Sequence, residues 1–145
     1  MTKQFTAHYV VTIGDINSGG HLGNDKALVI FQDGRIRFFK SLGLSEKNIG
    51  EGKGIIIVES AVKYHREVFL HDELTISIGV AEVVEKKVTL EYCVTRQSDN
   101  EEVLSGSSVF LAFDYQSRKV VNVPDDFVDK IKRFTLEKTS LTTDI

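Results

Sequence analysis

The segment GDINSGGHLGND, residues 14–25, gathers several side chains that can do chemistry into one short loop. Asp15 and His21 can each act as a general base, whereas the amide of Asn17 can only donate and accept hydrogen bonds. Gly20 and Gly23 carry no Cβ, so the backbone beside them can approach a ligand closely. These residue types predict a loop that binds a polar ligand group and activates water beside it.

The same residues also suit a purely structural loop. Asp, Asn, Ser and Gly dominate turns because their side chains bond nearby backbone groups or tolerate unusual backbone angles. Asn24 or Asp25 can cap a following helix, and His21 can bond carbonyl groups of the loop. The composition of the loop alone leaves both interpretations open.

Regular elements are predicted on both sides of the loop. Residues 5–13, FTAHYVVTI, are aromatic and β-branched with alternating apolar positions, which predicts a half-buried strand. After the loop, Leu28, Phe31 and Phe38 recur at helical spacing and predict the only long helix of the chain. Gly34 lies in the middle of this helix at a cost of about 1 kcal/mol relative to alanine, so we expect it to mark a close approach to the sheet.

From residue 54 onward the pattern changes to four extended segments separated by short polar turns, which favours an antiparallel meander. Pro124 opens a short helix that is expected to end near Phe134. We therefore expect one domain over residues 1–145, with a core at about 5–135 and a flexible tail at 136–145. The predicted class is α+β, with the long helix packed on a five-stranded antiparallel sheet.

Composition restricts the classes of function. The formal net charge of -3 provides no broad basic surface, which argues against a nucleic-acid partner. No apolar run approaches the roughly eighteen residues that span a membrane, and the first residues lack the pattern of a signal peptide. The single cysteine, Cys93, cannot form an internal disulfide, and no Cys/His cluster predicts a metal. We expect a soluble cytoplasmic protein without a metal site.

Three segments together resemble the hotdog-fold acyl-CoA thioesterases of the 4-hydroxybenzoyl-CoA and long-chain acyl-CoA thioesterase type. They are GDINSGGHLGND, FQDGRIRFFKSLGL and VKYHREVFLHDELTISI, within roughly residues 6–115. That family carries D-x-D-x-x-G-H-V-N-N after a strand, F-E-E-A-R on a long helix and a G-D-x-L turn. The resemblance implies a hotdog fold, in which a five-stranded antiparallel sheet wraps around one long helix.

The resemblance also assigns positions within the loop. The first acid of the family pattern falls on Asp15, the second on Asn17, and the Gly-His pair on Gly20 and His21. The family assigns base or nucleophile work on the thioester to the second acid. Asparagine has no useful basicity near neutral pH, so another group must supply the base if this protein hydrolyses thioesters.

Four other groups are candidates for that base. Asp15 and His21 lie in the loop itself, Asp33 lies on the helix, and Glu59 lies on the next strand among apolar neighbours. Asp33 can instead form an ion pair with Arg37 one turn later, and Glu59 can belong to a solvated strand face.

Backbone groups form the second predicted feature of the site. Gly20 and Gly23 let the chain approach a ligand, and the helix that starts near Asn24 offers free N–H groups with a favourable dipole. This arrangement can bind a thioester oxygen and stabilise the oxyanion that forms on attack.

Three functions remain open from the sequence. The first is hydrolysis of an acyl-CoA thioester, with no cofactor other than the coenzyme A of the substrate. The second is hydration of an enoyl-CoA, since GDINSGGH resembles the G-D-x-N-P-x-H segment of hotdog hydratases. The third is a binding module for acyl-CoA or an acyl carrier that lacks catalysis. The resemblance further implies a homodimer or homotetramer.

Overall fold

The computed structural model describes residues 3–143, with side chains described for residues 3–136. Its helices and strands, in chain order, are β1 (Phe5–Val10), a 3-10 helix (Ile13–Asp15), α1 (Lys26–Ser41), β2 (Gly54–Tyr64), β3 (Glu73–Val84), β4 (Lys87–Arg96), β5 (Glu102–Asp114), β6 (Lys119–Val120) and α2 (Asp125–Thr143). The predicted α+β class is confirmed.

One antiparallel sheet contains the strands in the order β1-β3-β4-β5-β2, with the short β6 paired to β5. The meander predicted for β3, β4 and β5 is confirmed, but its extension to β2 is wrong, because β2 pairs with β5 rather than β3. Short turns hold β3, β4 and β5 together, whereas residues 65–72 form a longer connection that lets β2 and β3 separate. β1 and β2 are consequently the two edges of the sheet.

Helix α1 packs on one face of this sheet, as predicted. A Cβ added to Gly34 would lie only 3.0 Å from both Ile76 Cγ2 and Ile78 Cδ1 of β3, which confirms the predicted close approach. The prediction that Leu28 belongs to the buried face is wrong, because Leu28 is 44% exposed while Ile30 is fully buried. Leu28 lies on the side of the helix that turns away from the sheet.

The second helix is longer than predicted. Its apolar face does pack on the core, and the Phe127 ring lies 6.0 Å from that of Phe39. However, α2 has 19 residues against 16 in α1, so α1 is not the only long helix.

Residues 144 and 145, the end of the predicted tail, lie outside the described residues. No helix of the described chain is long and apolar enough to cross a membrane.

The first strand is shorter than predicted. β1 ends at Val10 instead of Ile13, because the chain turns at Thr12 into the 3-10 helix. This early turn brings Asp15 back toward the strand, which matters for the site described below.

Gly106 of β5 allows the sheet to accept the ring of Phe31. A Cβ at this position would lie 2.1 Å from the carbonyl oxygen of Ala61 and 2.7 Å from Phe31 Cε2.

We expect Gly106→Ala to lower the free energy of unfolding by about 1–3 kcal/mol, since neither the Ala61 backbone nor the packed Phe31 ring can move without loss of other contacts. Urea denaturation measures this, with Gly79→Ala as control, because a Cβ there meets only the Gln4 side chain, at 3.6 Å. Equal stability of both variants would contradict the steric account.

Candidate active site

The loop between β1 and α1 is a compact hairpin-like turn closed by main-chain hydrogen bonds. The N–H of Asn17 donates to His21 O at 2.9 Å, and the N–H of Gly20 donates to Asn17 O at 3.1 Å. Gly20 has a φ of 83°, a backbone conformation that favours glycine. Outside the turn, the N–H of Leu22 donates to Val68 O at 2.8 Å, which ties the loop to the chain after β2.

Asp15 is buried at the base of the loop, with 7% of its surface exposed. Its Oδ2 accepts three hydrogen bonds: from Tyr9 Oη at 2.8 Å, from the Thr12 N–H at 2.9 Å and from Thr12 Oγ1 at 3.1 Å. Its carbonyl oxygen also accepts the N–H of Gly23 at 2.9 Å. Asp15 therefore connects β1, the 3-10 helix and the segment before α1, and these contacts hold the loop in place.

Tyr9 is the partner of Asp15 from the strand. Burial raises the pKa of the Tyr9 hydroxyl, and the hydrogen bond to Asp15 and the negative charge of that carboxylate raise it further. The hydroxyl thus remains a proton donor over the whole physiological range, and the Tyr9–Asp15 bond keeps one direction.

The side chains of Asn17 and His21 both lie close to Gly19. A Cβ added to Gly19 would lie 3.3 Å from both Asn17 Oδ1 and His21 Nε2. Asn17 Oδ1 accepts the N–H of Gly19 at 2.9 Å, so the side chain closes a turn while its NH₂ group points to no described protein acceptor. The amide group can therefore donate to a ligand.

His21 is oriented by its own backbone. Its Nδ1 lies 3.2 Å from Leu22 O, and because a carbonyl oxygen can only accept, Nδ1 carries the proton of this bond. In the neutral ring, Nε2 then holds the lone pair, and Nε2 is the atom that faces Gly19. His21 is thus arranged as a base toward the turn.

The N-terminus of α1 supplies unpaired donors beside these side chains. Within the described residues, the backbone N–H groups of Asn24 and Asp25 donate to no protein acceptor. Asp25 precedes the helix without a side-chain capping bond, and Gly23 is buried in the approach to it. Positive partial charge at a helix N-terminus makes such N–H groups suited to a developing negative charge.

A cleft of about 240 Å³ opens beside the loop, and its lining includes His21, Asn24, Tyr64 and Val68. Tyr64 Oη donates to Asn24 O at 2.7 Å, so the end of β2 is connected to the start of α1. A larger cavity of about 640 Å³ lies toward the opposite end of α1 and β2, where Ile55 to Ile57 form an apolar wall.

The structure does not bring every predicted residue to the loop. Asp33 forms an ion pair with Arg37, as the alternative interpretation predicted. Glu59 is exposed on β2, where it pairs with Val109, and so faces away from α1. Asp15, Asn17, His21, Gly20, Gly23 and Asn24 all lie in or beside the turn. The catalytic roles of Asp15, Asn17 and His21 and the substrate-binding roles of the other five residues stay predictions.

Sequence reasoning missed three residues of this region. Tyr9 and Thr12 hold the Asp15 carboxylate, and Tyr64 connects β2 to Asn24. The spacing of Thr12 and Asp15 matches a capping box and could have indicated the first contact. Tyr64 had no such signal, because its contact joins residues that are 40 positions apart. Among the described residues, no three His, Cys, Asp or Glu side chains form a group that could hold a metal.

Comparison with known proteins identifies the family. Residues 11–131 match the sequence model of the Thioesterase-like superfamily, which is most of the chain. The chain belongs to this superfamily. It is also 24% identical over 116 residues to the uncharacterized protein YsmA of Bacillus subtilis strain 168, covering 80% of this chain and 77% of YsmA.

Two solved structures share the fold of this chain. A hypothetical protein of Staphylococcus aureus in complex with CoA superposes with a TM-score of 0.82 at 22% identity, covering 93% of this chain and 85% of the other. An Asp-to-Asn mutant of 4-hydroxybenzoyl-CoA thioesterase complexed with 4-hydroxybenzoyl-CoA gives a TM-score of 0.79 at 18% identity, with coverages of 88% and 98%. The predicted hotdog fold is confirmed by this likeness.

The raised pKa of Tyr9 predicts a specific loss of stability at alkaline pH. The folded state holds the Tyr9 proton more tightly than the unfolded chain, where the ordinary pKa is 10.0. The stabilisation is therefore fully present below pH 10.0 and decreases as the pH rises above it. We expect the free energy of unfolding to fall more steeply above that pH in the wild type than in Tyr9→Phe. Urea denaturation at several pH values measures this. The same pH dependence of the unfolding free energy in both proteins would show that the Tyr9 hydroxyl does not contribute to it.

Proposed function

We propose that this protein hydrolyses an acyl-CoA thioester at the loop of residues 14–25. The proposal rests on a cleft lined by His21 and Asn24. The Asn17 side chain lies with His21 Nε2 near Gly19, and Asn24 and Asp25 carry free backbone N–H groups at the start of α1. A base, a neutral donor and an oxyanion site are the groups that thioester hydrolysis requires. Membership of the Thioesterase-like superfamily supports the same reaction.

The proposed chemistry uses water as the nucleophile. His21 Nε2 removes a proton from the water while its oxygen attacks the thioester carbonyl carbon, and the carbonyl oxygen becomes an oxyanion. The N–H groups at the start of α1 stabilise that charge, and the Asn17 NH₂ donates to the carbonyl oxygen or to the water. Collapse of the intermediate breaks the carbon–sulfur bond, and the imidazolium returns the proton to the departing CoA thiolate.

Asp15 has a different part in this proposal. Its Oδ2 is engaged by Tyr9 and Thr12, so the carboxylate is less suited to remove a proton than His21. We assign Asp15 to positioning the loop and His21 to the base. The apolar wall of Ile55 to Ile57 supports an acyl group that follows the seam between α1 and β2.

A second candidate is binding of the acyl thioester without turnover, and the amide at position 17 favours it. The Asp-to-Asn mutant of 4-hydroxybenzoyl-CoA thioesterase is described in complex with 4-hydroxybenzoyl-CoA, so in that protein an Asp-to-Asn change is compatible with holding an acyl-CoA. Neither candidate requires a cofactor beyond the CoA of the ligand. The cytoplasm remains our proposed location, where free acyl-CoA is accessible.

We also propose that two copies associate through the β2 edge. This eleven-residue strand pairs with β5 on one side and with no described strand on the other. Ile56, Ile57 and Val58 are 37%, 39% and 54% exposed along it. An open strand edge is a template for pairing with another chain, and pairing with a second copy satisfies the β2 edges of both copies at once.

Hydrolysis is tested with purified protein and a panel of acyl-CoA and enoyl-CoA substrates, by following thiol release and loss of the conjugated double bond. We expect thiol release. His21→Gln should lower kcat/KM by about 100-fold, because glutamine keeps hydrogen bonding without basicity. The matched control is His8→Gln, on the exposed face of β1, which should retain full activity. Equal activity of the two variants would remove His21 from the mechanism.

The same assay tests the residue at position 17. Asn17→Asp adds a carboxylate next to His21 and should raise kcat/KM by about tenfold or more, because a second base is then available. Asn17→Ala is the control, since it removes the amide without adding a base, and should lower activity. Double-bond loss without thiol release would favour the hydratase, and tight binding with neither signal would favour the binding module.

The β2 edge is tested by the mass in solution. Val58→Lys places charge on the proposed interface and should shift the protein to monomers in sedimentation equilibrium, because burial of an unpaired charge is costly. Val84→Lys is the control, since Val84 is 49% exposed at the far end of the β3–β4 hairpin. An unchanged mass for Val58→Lys would place the interface elsewhere.

A further inference from the structure

Arg35 of α1 is a buried cation with one nitrogen left without a partner. Only 6% of its surface is exposed. Its Nε donates to Glu46 Oε2 at 2.6 Å, and its Nη1 donates to Tyr92 Oη at 3.0 Å and to Ser108 Oγ at 3.4 Å. Within the described residues no acceptor contacts Nη2, and no fully buried side-chain nitrogen or oxygen atom lacks a hydrogen-bond partner. Nη2 therefore belongs to the small part of Arg35 that stays accessible.

That accessible part lines the cavity of about 640 Å³ whose apolar wall is formed by Ile55 to Ile57. An arginine side chain keeps its proton in proteins, so this cavity contains a permanent positive charge. The other two guanidinium nitrogens are already engaged, which fixes the direction in which Nη2 can donate. A fixed and charged donor in a mostly apolar cavity is suited to a negatively charged oxygen of a ligand.

The charges around the cavity also favour an anion. Glu46 offsets the charge of Arg35, and both of its oxygens are engaged, one by Arg35 Nε and the other by Gln32 Nε2 at 3.3 Å. Lys47 lines the same cavity and forms no ion pair within the described residues. Two cations against one carboxylate leave one positive charge uncompensated.

The cavity and the cleft at the loop lie along the same seam. β2 follows α1 from Ile55 at the cavity to Tyr64, whose Oη donates to Asn24 O beside the cleft. On α1, Leu28 lies four residues after Asn24 and seven before Arg35, so the three residues follow one line along the helix. Leu28 is 44% exposed. An accessible apolar side chain thus lies between the proposed thioester site and the cation.

The rise of α1 gives the length of this seam. Arg35 lies ten residues after Asp25, which corresponds to about 15 Å at a rise of about 1.5 Å per residue. An extended alkyl chain advances about 1.3 Å per carbon, because its C–C bonds of about 1.5 Å zigzag. A chain of about ten to twelve carbons therefore spans the distance.

We propose that the acyl group bound by this protein carries a carboxylate at its far end, and that Arg35 Nη2 binds this carboxylate. The ligand class is an ω-carboxyacyl-CoA of about ten to twelve carbons. The inference rests on the acyl-thioester site proposed above, but not on turnover at that site. An unsubstituted chain in the same place would remove water from Nη2 without supplying an acceptor, which is unfavourable.

CoA thioethers, which cannot be hydrolysed, test the carboxylate by isothermal titration calorimetry with the wild-type protein. The compared ligands are an S-alkyl chain of the stated length and the same chain with a terminal carboxylate. We expect the carboxylate to lower the Kd about tenfold, because a hydrogen bond between charged groups stabilises more than a neutral one. With chains of about half that length the preference should reverse, since the carboxylate would lie among apolar side chains before it reaches the cation.

Variants test whether the preference depends on Arg35. The double variant Arg35→Gln/Glu46→Gln removes both charges of the buried pair, so no buried carboxylate is left unpaired, and it should lose most of the preference. Arg37→Gln is the matched control on the same helix, because Arg37 pairs with Asp33 outside the cavity, and it should keep the preference. Lys47→Glu changes an exposed residue and gives a second readout if the double variant does not fold. It should lower the preference about threefold.

The ratio of the two Kd values separates ligand binding from a structural role. A double variant that binds both chains more weakly but keeps the preference would show that Arg35 only clamps the helix to the sheet, and would overturn the inference. Equal Kd values for the two chains in the wild type would overturn it and leave the thioesterase proposal intact. If the wild type binds none of the CoA thioethers, the acyl-CoA site and the inference are both wrong. A preference for the carboxylate without thiol release from the corresponding ω-carboxyacyl-CoA would support the inference and reject hydrolysis.

Discussion

The packing of α1 on the sheet is the constraint from which the other features of this protein follow. Phe31 stacks on Tyr92 with ring centroids 4.4 Å apart, and the absence of a Cβ at Gly106 makes room for the ring. Arg35 adds a polar clamp, because its Nε donates to Glu46 at 2.6 Å and its Nη1 donates to Tyr92 Oη at 3.0 Å. With one face fixed in this way, the N-terminus of α1 can only emerge beside the loop, and its opposite face can only meet solvent or a partner.

The residues of the loop differ in their contacts because the N-terminus of α1 lies beside it. Asp15 is buried and its Oδ2 is engaged by Tyr9 and Thr12, and we therefore propose that it holds the loop to β1. Asn17 and His21 are at the turn itself, where both side chains lie close to Gly19. The carboxylate that the superfamily resemblance places at position 17 is replaced by an amide, and the proposed mechanism therefore transfers the role of base to the histidine. In the proposed mechanism, the groups that bind the thioester and the base are thus different residues.

The sequence predicted those features that depend on local spacing. Gly34 was expected to mark a close approach, and Asp33 to pair with Arg37, because both depend on residues within one helix and the surface it faces. The position of β2 beside β5 could not be predicted from turn lengths, since it depends on pairing across some fifty residues. The hydrogen-bond partners of Asp15 could not be predicted for a related reason. A carboxylate in a polar loop has the same sequence signature whether its partners are Tyr9 and Thr12 or a substrate.

The proposed mechanism requires the loop of residues 14–25 to present a thioester carbonyl to the N-terminus of α1. A crystal structure with a CoA ketone analogue, in which a methylene separates the sulfur from the carbonyl and prevents hydrolysis, tests this most directly. We expect the ketone oxygen within hydrogen-bond distance of the Asn24 or Asp25 N–H, and His21 Nε2 on the side from which water attacks. A ketone bound elsewhere, with these N–H groups facing solvent, would contradict the proposed mechanism.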